Sequence, residues 1–100
     1  MHVAEFQRLI ERIYYARDKA RGTAGTFQWF VEEIGELARA FRDGDEKALR
    51  NEFADTFAWL ATLASISGVD LESAAVEKYG QGCPKCRRAP CCCSERKSSD

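Results

Sequence analysis

The feature that most restricts this chain is an apolar stripe of helical period, read twice between Phe27 and Ala64. Phe27, Phe30, Ile34, Leu37 and Phe41 form the first stripe, and Leu49, Phe53, Phe57, Leu60 and Ala64 the second. Steps of three and four residues belong to an α-helix; a half-buried strand would alternate at every second residue, and no such alternation occurs. Each stripe carries acidic residues on its flank, Glu32-Glu33-Ile34-Gly35-Glu36 and then Glu52-Phe53-Ala54-Asp55. At about 100° per residue, Glu33 and Glu36 fall on one side of the first stripe, and Glu52 and Asp55 on one side of the second. Trp29 and Trp59 lie on those same flanks.

Carboxylates beside an apolar stripe ordinarily mark the line where a helix meets water. Two observations favour more than that. Like charges three or four residues apart destabilise a helix unless something offsets them. Arg39 and Arg42 stand near the first set, but only Arg50 stands near Glu52 and Asp55. If the two helices pack antiparallel the carboxylates converge, and a converged set needs protons or a hard cation. Mg2+, with oxygen ligands and an open, water-rich shell, is the natural occupant.

The pattern EExxE, a gap, then ExxD on neighbouring helices resembles the MazG-type nucleoside triphosphate pyrophosphohydrolases. The matching residues are Glu32, Glu33, Glu36, Glu52 and Asp55. The surroundings agree: Phe27-Gln28-Trp29-Phe30-Val31 precedes the motif, and Trp59-Leu60-Ala61 follows it. The resemblance covers roughly Phe6 to Tyr79. It implies an all-α, four-helix bundle completed by pairing with further copies, as a dimer or a dimer of dimers. It also implies cleavage of a nucleoside triphosphate between its α- and β-phosphates, giving monophosphate and pyrophosphate. Glu33, Glu36, Glu52 and Asp55 would then hold Mg2+. Glu32 would act as a base behind those ligands or as ligand to a second ion. Trp29 or Trp59 is a candidate for stacking on the base, against simple packing as the plain alternative. Lys78 is a candidate phosphate contact.

In chain order, the pattern predicts a helix from Val3 to about Arg17, with Phe6, Leu9, Ile10, Ile13 and Tyr14 inward. Gly22 and Gly25 predict a loop over Asp18–Thr26, with Thr23 or Thr26 capping the next helix. Asp43-Gly44-Asp45 reads as a turn and a fresh cap. A third helix runs from Glu46 to Ser67, stopped by Gly68, and Asp70 caps a short fourth with Leu71, Ala74, Ala75 and Val76 inward. His2, alone near a fraying end, reads as solvated. One hundred residues make one small domain, which a partner subunit would help to bury its surface. Fifteen basic and sixteen acidic residues leave a net charge of −1, which argues against broad nucleic-acid binding. Charged residues interrupt every apolar run near the N-terminus, so neither a signal peptide nor a membrane span is expected, and a cytoplasmic, reducing location follows.

Composition changes at Gly80, dividing a helical catalytic domain (1–79) from a cysteine-rich tail (80–100). All five cysteines fall in Cys83-Pro84-Lys85-Cys86 and Cys91-Cys92-Cys93. In a reducing compartment such a cluster reads as a metal site rather than a disulfide framework. Cys83 and Cys86 form a C-P-x-C knuckle, and with Cys91 and Cys93 they offer four thiolates to Zn2+. The alternative is a disordered tail, which the short spacer and Arg87, where such knuckles usually place glycine, keep open. From Ser94 the tail is polar and expected to be mobile.

Two rival functions stand beside the pyrophosphohydrolase reading. One is phosphoribosyl-ATP pyrophosphohydrolase activity on the same fold. The other is a non-enzymatic zinc-binding module with vestigial carboxylates, to which Arg87, Arg88, Arg96 and Lys97 lend a small basic cluster that Glu95 and Asp100 dilute.

Overall fold

Three helices make up the regular structure of residues 1–94, the part that the computed structural model describes. Arg96 and Lys97, and most of the polar tail expected from Ser94, lie outside the described residues. Helix α1 spans Val3–Asp43, α2 Glu46–Ile66 and α3 Leu71–Tyr79. No strand occurs among the described residues. No helix among them is long and apolar enough to cross a membrane.

The expected loop over Asp18–Thr26 is instead helical throughout, apart from one residue. Gly22, at φ 83° and ψ 172°, kinks α1 into two arms. The expected first and second helices are thus the arms of one element, and the bundle has three helices. Gly25, whose φ is not positive, stays inside the helix and marks no loop. Thr26 is fully buried rather than a cap, and accepts a hydrogen bond from Arg21 at 3.3 Å. Arg21 also pairs with the buried Asp18 at 2.9 Å, and Asp18 accepts from the Thr62 hydroxyl of α2 at 3.0 Å. Polar groups this deep must be paired. Here the pairing ties both sides of the kink to α2.

After the kink, α1 runs to Gly44, which ends it in a left-handed conformation (φ 70°) with its N–H on the Ala40 carbonyl. Asp45 then caps α2, accepting from the amides of Lys47 and Ala48. The tight reversal lays the second arm antiparallel to α2. Phe41 meets Phe53 edge to face at 5.9 Å, and Trp29 stacks on Trp59 at 6.0 Å. The first arm lies across the C-terminal half of α2, where Phe6 stacks on Phe57 at 4.8 Å. Gln7, with no exposed surface, donates to the Val69 carbonyl and the Ser65 hydroxyl and accepts from the Leu71 amide. One carboxamide therefore fixes the turn from α2 into α3. Asp70 caps α3 through the Ser73 amide, and Glu72 accepts from the Ala4 amide.

Much of the predicted inward stripe is not covered within one chain. Phe27 (55 %), Phe41 (58 %) and Phe53 (53 %) remain half exposed, with Ile13, Tyr14, Ile34 and Leu60. Among the described residues the buried positions are few and, Ile10 apart, small or polar: Gln7, Ile10, Asp18, Thr26, Ala40, Ala61, Thr62 and Ala64. Helix α3 is held through its first turn alone, so Ala74, Ala75 and Val76, expected inward, are exposed.

The kink predicts opposite signs for one substitution at two glycines. Gly22 occupies backbone angles open to glycine almost alone, although no atom within 4 Å would obstruct a Cβ. Gly22→Ala should therefore destabilise by about 1–3 kcal/mol, lowering Tm by about 4–8 °C for each kcal/mol. Gly35, helical with open space around it, should gain about 0.5–1 kcal/mol as alanine. Thermal melts followed by circular dichroism compare the two; equal shifts would mean that Gly22 sets no backbone constraint.

Candidate active site

Antiparallel packing of the second α1 arm on α2 turns two flanking stripes toward each other. Carboxylate oxygens of Glu33, Glu52 and Asp55 come within 4.8 Å of one another. Glu33 and Glu52 are half-buried and Asp55 is exposed, so the cluster sits at the mouth of the helix pair. Burial first, then the adjoining Glu52 carboxyl, then the charges of Glu52, Asp55 and Glu36 push the Glu33 carboxyl up from its ordinary 4.5 to about 7. Among the described residues Glu52 Oε2 is buried without a hydrogen-bond partner, as is Thr56 Oγ1 one turn along α2. A buried acceptor with no donor, beside two further carboxylates, is what an oxygen-ligating divalent cation relieves. On that test Glu33, Glu52 and Asp55 fit Mg2+.

The other expected residues divide. Glu36 stays close enough to raise Glu33, but its carboxylate pairs with Arg39 at 2.6 Å and is not in the three-residue group. Glu32 is exposed and also outside it. Trp29 and Trp59 stack on each other, and Trp59 also lies under the Arg21 guanidinium at 4.9 Å. Lys78 sits over Tyr79 and lines a second cleft beside Cys83, not the one containing Asp55. Cys83, Cys86, Cys91 and Cys93 come together past the end of α3. The Cys92 amide leads the groups that hold the Cys86 thiol down to about 6, while the Cys91 sulfur leads those that push Cys93 up to about 12.

Two arginines that the sequence does not mark as functional belong to the same surface. A cleft of about 300 Å³ opens between the first arm of α1 and α2. Asp55 and Trp59 line it from α2, and Tyr14, Arg17, Asp18 and Arg21 from α1. Two arginines thus line a cleft together with Asp55 of the acidic cluster. Arg21 is held by Asp18, Thr26 and Trp59, whereas Arg17 has no partner among the described residues. An unpaired arginine in a cleft is a ready site for phosphate oxygens. The available signal was the polar run Arg17-Asp18-Lys19 interrupting an apolar period where a core helix would continue it.

Residues 21–87 match the model of the MazG nucleotide pyrophosphohydrolase domain. That match covers most of the chain and all three carboxylates of the cluster, and the chain belongs to this family. A relative among characterised sequences is the histidine biosynthesis bifunctional protein HisIE of Helicobacter hepaticus. It is 43 % identical over 58 residues, which is 56 % of this chain but 25 % of that protein. The chain thus spans about a quarter of the relative that it matches.

The raised Glu33 makes the metal-free site sensitive to pH. Its folded-state pKa lies above the unfolded value, so its contribution to stability is complete below 4.5 and is lost as pH rises through about 7. In chelator, the Tm of the wild-type protein should fall between about pH 5 and 7.5, and Glu33→Gln should fall less. Mg2+ should flatten the wild-type slope by binding the ionised form, releasing protons as it does. Differential scanning fluorimetry across pH reads both effects. Parallel slopes for the two proteins would show that Glu33 is an ordinary solvated carboxylate.

Proposed function

We propose that the protein is a Mg2+-dependent pyrophosphohydrolase that converts a nucleoside triphosphate, ribo or deoxy, to monophosphate and pyrophosphate. The observation that carries the reading is the cluster of Glu33, Glu52 and Asp55 opening onto a cleft that holds Arg17 and Arg21. Carboxylates alone would repel a triphosphate, and arginines alone would bind it without activating water; here the two stand at one opening. When bound, Mg2+ would neutralise phosphate charge and lower the pKa of coordinated water.

The chain's own residues supply the rest. Arg17 binds phosphate oxygens, and Arg21, held on Trp59 and Asp18, lends a fixed positive charge to the same cleft. Tyr14 and Trp59 offer aromatic surface to a base. Glu33, Glu52 and Asp55 hold the cation, with Glu36 as a further ligand if it leaves Arg39. Glu32, about 100° round the helix from Glu33, takes the proton from water or holds a second ion. Lys78 belongs to this reading only as a phosphate contact outside the cleft.

The half-exposed Phe27, Ile34, Phe41 and Phe53 support a second proposal, that the chain pairs with further copies of itself as a dimer or dimer of dimers. Two or more copies would bury the apolar stripe that one chain leaves open. Light scattering should give two or four times the chain mass, and Phe41→Glu should lower it. A wild-type mass equal to one chain would end the proposal. The reducing cytoplasm is the proposed setting, with no role for nucleic acid or membrane.

Similarity to part of a histidine-biosynthesis protein supports one alternative substrate, phosphoribosyl-ATP. A nucleotide panel that includes it, assayed with Mg2+ for pyrophosphate release, separates the readings. In heavy-oxygen water the label should enter the monophosphate; label in free phosphate would mean cleavage at the γ-phosphorus. Glu52→Gln should lower kcat by about a hundredfold or more. Arg17→Ala should chiefly raise KM, by about tenfold. Pyrophosphate release that survives Glu52→Gln would remove the cluster from the chemistry.

A further inference from the structure

The geometry points to a structural zinc site that joins the two cysteine segments after α3, with Cys83, Cys86, Cys91 and Cys93 as its four ligands. All four sulfurs lie within 4.8 Å of one another. Three of the separations are 3.6 Å (Cys83–Cys91), 3.9 Å (Cys83–Cys93) and 4.0 Å (Cys86–Cys91). A tetrahedron with Zn–S bonds of about 2.3 Å has sulfur–sulfur edges of about 3.8 Å. A disulfide would need about 2.05 Å, and all five cysteines are free. Four unbonded thiols at tetrahedral spacing make the donor set of a structural zinc site.

The backbone is arranged around the sulfurs. The amides of Lys85 and Cys86 point at the Cys83 sulfur, that of Cys92 at Cys86, and that of Cys93 at Cys91. Such donors stabilise thiolates, the form that binds zinc. The first pair is held in a closed turn, with Cys83 N–H on the Arg88 carbonyl and Arg87 N–H on the Cys83 carbonyl. Gly82 permits that closure. It has φ 97°, and a Cβ there would come within 2.8 Å of the Arg88 backbone. Arg87 takes a left-handed φ of 59° at the place where a glycine would be at ease, and is held there by Gln81 at 2.7 Å. Residues 81–94 have no helix, no strand and no fully buried side chain. The thiol cluster is therefore what brings 91–93 back to 83–86. Cys92 supplies an amide, and its own sulfur is outside the set.

The site is independent of the hydrolytic reading, and its test does not use activity. The untagged full chain, purified without chelator, should carry close to one zinc by elemental analysis. Replacement by Co2+ should give the intense visible bands of a tetrahedral tetrathiolate. A thiol reagent should find one fast cysteine in the zinc form and five after a strong chelator removes the metal. Cys92→Ser should keep zinc and abolish the fast thiol. A Cys83→Ser, Cys86→Ser double variant should lose zinc while keeping its helical circular dichroism. Gly82→Ala, which touches no thiol, should weaken zinc retention against a chelator by about tenfold. Zinc lost equally in Cys92→Ser, iron in place of zinc, or five fast thiols in the protein as purified would each overturn the assignment.

Discussion

Three carboxylates held within 4.8 Å of one another set the terms for the rest of this molecule. Their mutual repulsion pushes apart the two helices that carry them, so those helices must be clamped on either side. Toward the turn the clamp is the Phe41–Phe53 contact and the cap at Asp45; toward the kink it is the Trp29–Trp59 stack. Each aromatic pair of this kind contributes about 0.5–1.5 kcal/mol beyond its area. The acidic cluster lies between them, where splaying is resisted from both ends. Within the clamped cluster, burial first and then the neighbouring carboxylates hold Glu33 up, and one buried Glu52 oxygen has no hydrogen-bond partner among the described residues.

The same clamp explains why some of the site was legible from residue order and some was not. Glu33, Glu52 and Asp55 could be placed because a helical period fixes direction around an axis, and a two-residue turn fixes which axes face each other. Glu36 has the same period, but it has a basic neighbour one turn on, and the local ion pair with Arg39 draws its carboxylate aside. The polar run at Arg17-Asp18-Lys19 marks a break in the apolar period, but nothing in residue order says that positions 17–21 lie across positions 55–62. That depends on the angle at Gly22. Two glycines and two threonines around it predict a loop, yet only one glycine leaves the helix. Gly25 and Thr26 continue the second arm, and the Arg21 bond to Thr26 reaches across the kink.

Burial within the single chain also departs from the periodic pattern, in an instructive direction. Apart from Ile10, the innermost positions are alanines and paired polar side chains, and several of the large aromatics sit at half exposure. Small residues let the helices approach closely, while the phenylalanines project past the contact. The chain's hydrophobic content is ample, but its distribution suits a surface shared between molecules better than a closed monomeric core. Helix α3 is the extreme case, attached by Gln7, Glu72 and its first turn and otherwise bare.

The kink at Gly22 has a consequence that concerns handedness rather than space. Its angles, φ 83° and ψ 172°, are close to the mirror image of ordinary extended backbone. Among encoded residues glycine alone is achiral, so it alone can take that mirrored conformation without penalty. A D-residue would take those angles without strain. The corner that sets the first arm of α1 across α2, and so brings two arginines to the carboxylates, is therefore a matter of stereochemistry. Evolution can reshape the cleft walls by ordinary substitution, but it cannot alter the letter at this corner without rebuilding the angle between its two arms.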